Sequence, residues 1–183
     1  MRAKVRWVVA AAAVAALHGT TAGDALAQAP ASGFSFRHEA TIQAPRADVF
    51  RALVEQVGSW WDSEHTYTGD ASNMSIDARP GGCFCEMFPG GGGVEHMRVV
   101  YVMPNQVLRL FGGLGPLQEH GVAGSMTWTL TDSGDATHVD LVYSIGGYTD
   151  VGFEAFAPPV TAVIGHQLRR LKAYVETGEP GGP

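Results

Sequence analysis

"FSFRHEATIQAPRADVFRALV", residues 34–54, changes character at one point. From Phe34 to Ala44 apolar and polar residues alternate, the period of a strand with one face covered. Pro45 stops the alternation and suits N1 of a helix, and Val49, Phe50, Leu53 and Val54 then fall on one helical stripe. A first strand therefore feeds a short helix. The following "VGSWWDSEHTYTGD" (57–70) is too rich in turn formers for a long second helix, so one or two turns around Ser59–Trp61 are expected.

Downstream, six more stretches read as strands: "NMSIDA" (73–78), "CFCEMF" (83–88), "VEHMRVVYVM" (94–103), "VLRLFG" (107–112), "GSMTWTLTD" (124–132) and "THVDLVYSI" (137–145). The segments between them, "RPGG", "PGGGG", "PNQ", the longer "GGLGPLQEHGVA" and "SGD", carry turn residues. With the first strand this predicts a seven-stranded, mostly antiparallel sheet built of hairpins. The period then changes. Val160, Val163, Ile164, Leu168, Leu171 and Val175 recur at helical steps while Arg169, Arg170 and Lys172 fall toward the other side, so residues 160–177 form an amphipathic helix. Pro158 and Pro159 mark its start, and "YTDVGFEAF" (148–156) is either a further helical turn or a lid. The class is α+β, with two short helices after the first strand and a long helix at the end.

The N-terminal residues are set apart from this domain. Arg2, Lys4 and Arg6 precede the apolar run "WVVAAAAVAAL" (7–17), which is too short and too poor in large side chains to span a bilayer. It reads as a secretory signal, residues 1–27, cleaved after the Ala25-Leu26-Ala27 pattern; an uncleaved membrane anchor is the alternative. Residues 28–178 are then one domain and the Pro/Gly tail 179–183 is expected to be disordered. Removing the leader leaves nine basic and seventeen acidic residues, a net charge of −8. Such a surface argues against a nucleic-acid partner. No glycine loop of nucleotide-binding type is present, and no cofactor is expected. The protein should be periplasmic or secreted, with no stable membrane anchor after cleavage.

The order β-α-α-β6-α resembles the SRPBCC helix-grip superfamily of START, Bet v 1 and polyketide-cyclase domains, in particular the branch related to the activator of Hsp90 ATPase. The resemblance is carried by "ATIQAPRADVFRALVEQVGSWW" (40–61), by "ARPGGCFCEMF" (78–88) followed by "VVYVMPNQVLRLFG" (99–112), and by the long final helix; it covers nearly all of Phe34 to Glu176. It implies a curved sheet wrapped on the C-terminal helix, with an apolar cavity between them that holds lipids, sterols, polyketides or similar molecules. It implies no particular reaction, because family members include carriers, cyclases, hydrolases, receptors and chaperone regulators. Export counts against an Hsp90-type chaperone as partner, since that chaperone is cytoplasmic.

In "CFCEMF", Cys83, Cys85 and Met87 face one side, and Phe84, Glu86 and Phe88 the other. A bond between positions i and i+2 on one pleat must distort the strand, which argues against a disulfide between Cys83 and Cys85. Two thiolates and a neighbouring histidine fall short of a closed zinc site, so no metal is expected. If Phe84 and Phe88 turn inward, Glu86 follows them into a site where its pKa would rise, to act as acid, base or ligand anchor. If they turn outward, it is a solvated charge. Alternation on one strand leaves both open, because Cys83, Cys85 and Met87 would also make a core.

The remaining candidates are aromatic or imidazole groups. Trp60, Trp61, Phe84, Met126, Trp128, Tyr143, Phe153 and Phe156, with Glu86, are the residues expected to line a ligand cavity, a role that overlaps with filling the core. His38, His138 and His166 are expected to be exposed, whereas His65 and His120 lie on loops ringing the cavity, near Asp62 and Glu119. Strict alternation in "VEHMRVVYVM" puts Val94, His96, Arg98 and Val100 on one face and Glu95, Met97, Val99 and Tyr101 on the other. The sequence therefore predicts an exported binding protein for an apolar or amphipathic small molecule. The alternative is an enzyme of cyclase, dehydratase or hydrolase type using Glu86, His96 or Tyr143 for proton transfer.

Overall fold

Seven antiparallel strands in the order β1-β7-β6-β5-β4-β3-β2 make a single curved sheet that grips a long C-terminal helix. The computed structural model describes residues 33–181; the expected signal peptide 1–27 and its expected cleavage site, residues 28–32 and the last two residues of the chain lie outside them. β1 (Gly33–Ile42) leads to α1 (Arg46–Glu55) and the one-turn α2 (Val57–Trp60), followed by β2 (Met74–Ile76), β3 (Cys83–Met87), β4 (Gly93–Met103), β5 (Val107–Gly112), β6 (Gly121–Ser133) and β7 (Ala136–Tyr148). α3 spans Phe153–Thr177. This is the helix-grip fold. Among the described residues no helix is long and apolar enough to cross a membrane.

Of the segment 148–156 only the last four residues are helical: Tyr148 ends β7, residues 149–152 form a bend, and α3 begins at Phe153 with Pro158 and Pro159 inside it. Neither proline has an N–H to donate, so the carbonyls of Glu154 and Ala155, four residues back in the first turn of α3, have no i+4 partner. Ile164, Leu168 and Leu171 of α3 are fully buried against Trp60, Trp128, Met126, Leu110, Leu141 and Tyr143, which fill most of the space between helix and sheet. Gly165 lets α3 lie close on β1, since a Cβ there would meet the His38 ring at 2.8 Å.

The two long inner hairpins are regular, but β4 is not. It pairs Met97 with Phe84 and Glu95 with Cys85, so His96 is an extra residue in the β3–β4 ladder. It also pairs Val99 with Leu110 and Tyr101 with Arg109, so Val100 is extra in the β4–β5 ladder. Each bulge resets the alternation. As a result His96 and Met97 are both buried, and Val100 and Tyr101 are both exposed. The expected facing of His96 with Arg98 is thereby corrected.

Cys83 and Cys85 are joined by a disulfide, contrary to expectation. Their Cα atoms lie 5.4 Å apart, within ordinary bridging range, where two residues of regular strand would span about 6.6 Å. The first bulge falls beside them, between Phe84 and Cys85, and supplies the distortion that an unbroken pleat lacks.

Candidate functional site

The turn Trp61–Tyr67, the loop Leu114–Leu117, the first half of α3 and His96 enclose a hollow of about 470 Å³ at one end of the sheet. α3 presents Phe156, Pro159, Val160, Val163 and Ile164 to it. The loop is held in place by Tyr143, whose hydroxyl donates to the Gly112 carbonyl at 3.0 Å and accepts from the Leu114 N–H at 3.4 Å. Burial pushes the Tyr143 phenol up to about 12, so it stays protonated.

His96 brings chemistry to this wall. Its side chain is 2 % exposed and its Nε2 lies 3.2 Å from Oε2 of Glu86, which is fully buried. Glu86 also accepts from the backbone N–H groups of Tyr67, at 3.0 Å, and Thr68, at 2.6 Å. Burial alone would raise the Glu86 carboxyl, but the donors from Tyr67, Thr68 and His96 outweigh it and hold the group below its ordinary value. The expectation of a raised pKa is thus reversed: the position is inward, yet its partners favour the carboxylate.

For His96, burial lowers the pKa more than the Glu86 carboxylate raises it. The ring is therefore neutral at pH 7, and its single N–H is on Nε2, where the carboxylate accepts it. Nδ1 is then a bare lone pair. Among the described residues it is the one buried side-chain nitrogen or oxygen without a hydrogen-bond partner. Tyr67 stacks over the ring at 5.9 Å and Phe84 packs at 5.4 Å.

A second polar cluster lies beside the hollow. Asp62 receives His166 Nε2 at 2.7 Å, while Gln167 accepts the Asp62 N–H at 3.0 Å and donates to His65 Nδ1 at 3.1 Å. Burial raises the Asp62 carboxyl, but the Glu64 N–H, the bond to His166 and the nearby Arg170 guanidinium bring it below its ordinary value. These bonds fasten the Ser63–His65 turn to α3. Among the described residues no group of three or more His, Cys, Asp or Glu is placed to hold a metal.

Residues 43–176 match the family described as "Activator of Hsp90 ATPase homolog 1-like protein". The chain belongs to that family. No functionally curated protein matches it. The solved structures it resembles include the Aha1 dimer of Colwellia psychrerythraea, at 20% identity and TM-score 0.54, covering 79% of this chain and 98% of that one. DynU16, from the dynemicin biosynthetic locus, is 22% identical with TM-score 0.52 over 80% of this chain and 48% of its own. Ara h 8.0201 is 15% identical with TM-score 0.56 over 78% and 97% of the two chains. At these identities the likeness is one of fold.

Within this family member the sequence-predicted residues divide by position. Trp61, His96 and Phe156 border the hollow, and Phe84 and Glu86 lie directly behind His96. Trp60, Met126, Trp128 and Tyr143 are buried in the core and are not among the lining residues. Phe153 packs edge-on to Phe34, at a separate surface hollow. Phe88, at the β3–β4 turn, is 37% exposed and does not follow Phe84 inward.

The histidines are redistributed too. His38 shares its parity with Phe36 and bonds through Nε2 to the Thr161 carbonyl at 2.8 Å, so it is half-buried. His166 is half-buried on Asp62. Neither is the free surface group that was expected. His65 lines the hollow, and His120 packs edge-on to Phe156 at 4.8 Å. Sequence reasoning missed Gln167, although it stands on the apolar stripe between Ile164 and Leu171, where a polar residue is the available signal. It also missed the backbone donors of Tyr67 and Thr68, which no side-chain pattern announces.

Proposed function

We propose that this protein is exported and holds a small apolar or amphipathic molecule, of lipid, sterol or polyketide-like kind, in the hollow at the end of the sheet. The observation that carries the reading is a concave site of about 470 Å³ walled mainly by apolar side chains, with a few polar groups at its edge. That volume falls in the range typical of small-molecule sites. The basic and apolar leader at residues 1–27 supports a periplasmic or secreted location, where a cytoplasmic Hsp90-type chaperone is out of reach.

A second reading is favoured by the Glu86–His96 pair. A carboxylate that orients a neutral imidazole leaves the other ring nitrogen able to take a proton from a bound molecule, as a cyclase, dehydratase or hydrolase would require. Native mass spectrometry of the exported protein, followed by denaturing extraction, separates the two. A co-purifying apolar molecule is the expected result. Protein that arrives with no added mass contradicts a carrier that retains its cargo and favours an enzyme that releases product.

A further inference from the structure

We infer that His96 Nδ1 is the specificity-determining acceptor of the hollow, and that the molecule it takes carries a neutral O–H or N–H donor on an otherwise apolar body. The inference rests on the binding reading above and narrows it.

Nε2 of the ring is committed to Glu86, which is itself held by the Tyr67 and Thr68 N–H groups. Because an ionised carboxylate can only accept, it fixes the proton on Nε2 and leaves Nδ1 an acceptor. His96 is one of the residues lining the hollow, and among the described residues no group donates to its Nδ1. That atom is itself covered, so a ligand donor reaches it as the half-exposed Tyr67 ring stacked on the imidazole moves aside. A buried acceptor left without a donor is costly, so a ligand that supplies one gains over a ligand that does not. Ligand carboxylates are disfavoured at this point, since they would set a second negative charge near Glu86 and offer no proton to the lone pair. The chemistry that fits is an alcohol, a phenol or an amide N–H, with its apolar part against Val160, Val163 and Leu117.

The test compares 2-naphthol with 2-methoxynaphthalene on the folded wild-type domain by calorimetric or fluorescence titration. The two have the same ring system, and only the first can donate. Tighter binding of 2-naphthol by about tenfold is expected, the worth of one buried hydrogen bond. In His96→Phe, which keeps a ring beneath Tyr67, the two should bind alike. Equal affinities in the wild type would overturn the acceptor role while leaving the binding site standing. Failure of both probes to bind would contradict the binding reading itself, and the inference with it. Since the wild-type comparison needs no substitution, a poorly folding variant does not blunt it.

Discussion

Glu86 has no exposed surface and is nevertheless ionised, because the protein surrounds it with donors before any ligand arrives. Burial alone suggests that Glu86→Gln would stabilise the fold by removing a charge. The observed partners give the opposite sign. A glutamine amide can accept from one of the Tyr67 and Thr68 N–H groups but turns its own NH₂ toward another donor, so the variant should lose about 1–3 kcal/mol. Thermal unfolding at neutral pH reads this directly, and an unchanged or higher midpoint would contradict the account. His96 adds a pH dependence. Its folded pKa lies below the ordinary 6.5, so between those values the unfolded chain binds the proton more readily than the native one. Stability from this group is full above 6.5 and declines as pH falls below it. Glu86 acts in the same sense further down, its contribution present above the ordinary 4.5 and lost as pH falls through its lower folded value. The melting midpoint should therefore drop steadily from neutral pH toward about pH 4, and a midpoint that rises on mild acidification would be incompatible with both assignments.

At the level of elements, the site depends on two devices, a bulge and a latch. The extra residue in β4 places His96 and Met97 on the same side of the sheet, which regular pleating forbids. The latch is the Tyr143 hydroxyl of β7, which holds the loop between β5 and β6. Tyr143→Phe would leave the Gly112 carbonyl and the Leu114 N–H without their partner, at about 1–3 kcal/mol, and amide exchange in residues 113–119 should quicken while the sheet amides stay protected. Uniform protection across the loop would show that Tyr143 does not hold it. The succession of strands along the chain was legible because Pro/Gly segments punctuate the hairpins and each strand keeps its period over most of its length, whereas the pairing of β1 with β7 joins segments too far apart for any turn signal to announce. The bulges were not, since one inserted residue leaves composition unchanged and only shifts parity. The trace it does leave is the spacing of Glu95 and Arg98, three apart yet both solvated and paired to each other. The Cys83–Cys85 bridge escaped for the same reason, because its geometry becomes accessible only where the pleat is broken.

Across the whole molecule, helix and sheet divide the space between them into a filled part and an open end. Trp60, Trp128 and Tyr143 pack the filled part, which is why large aromatics on the right strand faces could be recognised as inward but not sorted into core and cavity wall. That sorting depends on the relative position of α3 and the Leu114–Leu117 loop, segments far apart in sequence. Val163 faces the open end from α3 and is only half-buried, so Val163→Trp should fill the hollow with little cost to the fold. Binding of 2-naphthol should be lost with the melting midpoint held to within a few degrees; full binding in the variant would place the ligand elsewhere. The central claim is the state of the His96 ring, and a two-bond proton–nitrogen spectrum of histidine-labelled protein at pH 7 tests it most directly. The account predicts a neutral ring with its proton on Nε2 and an unprotonated Nδ1. An imidazolium, or a proton on Nδ1, would contradict it.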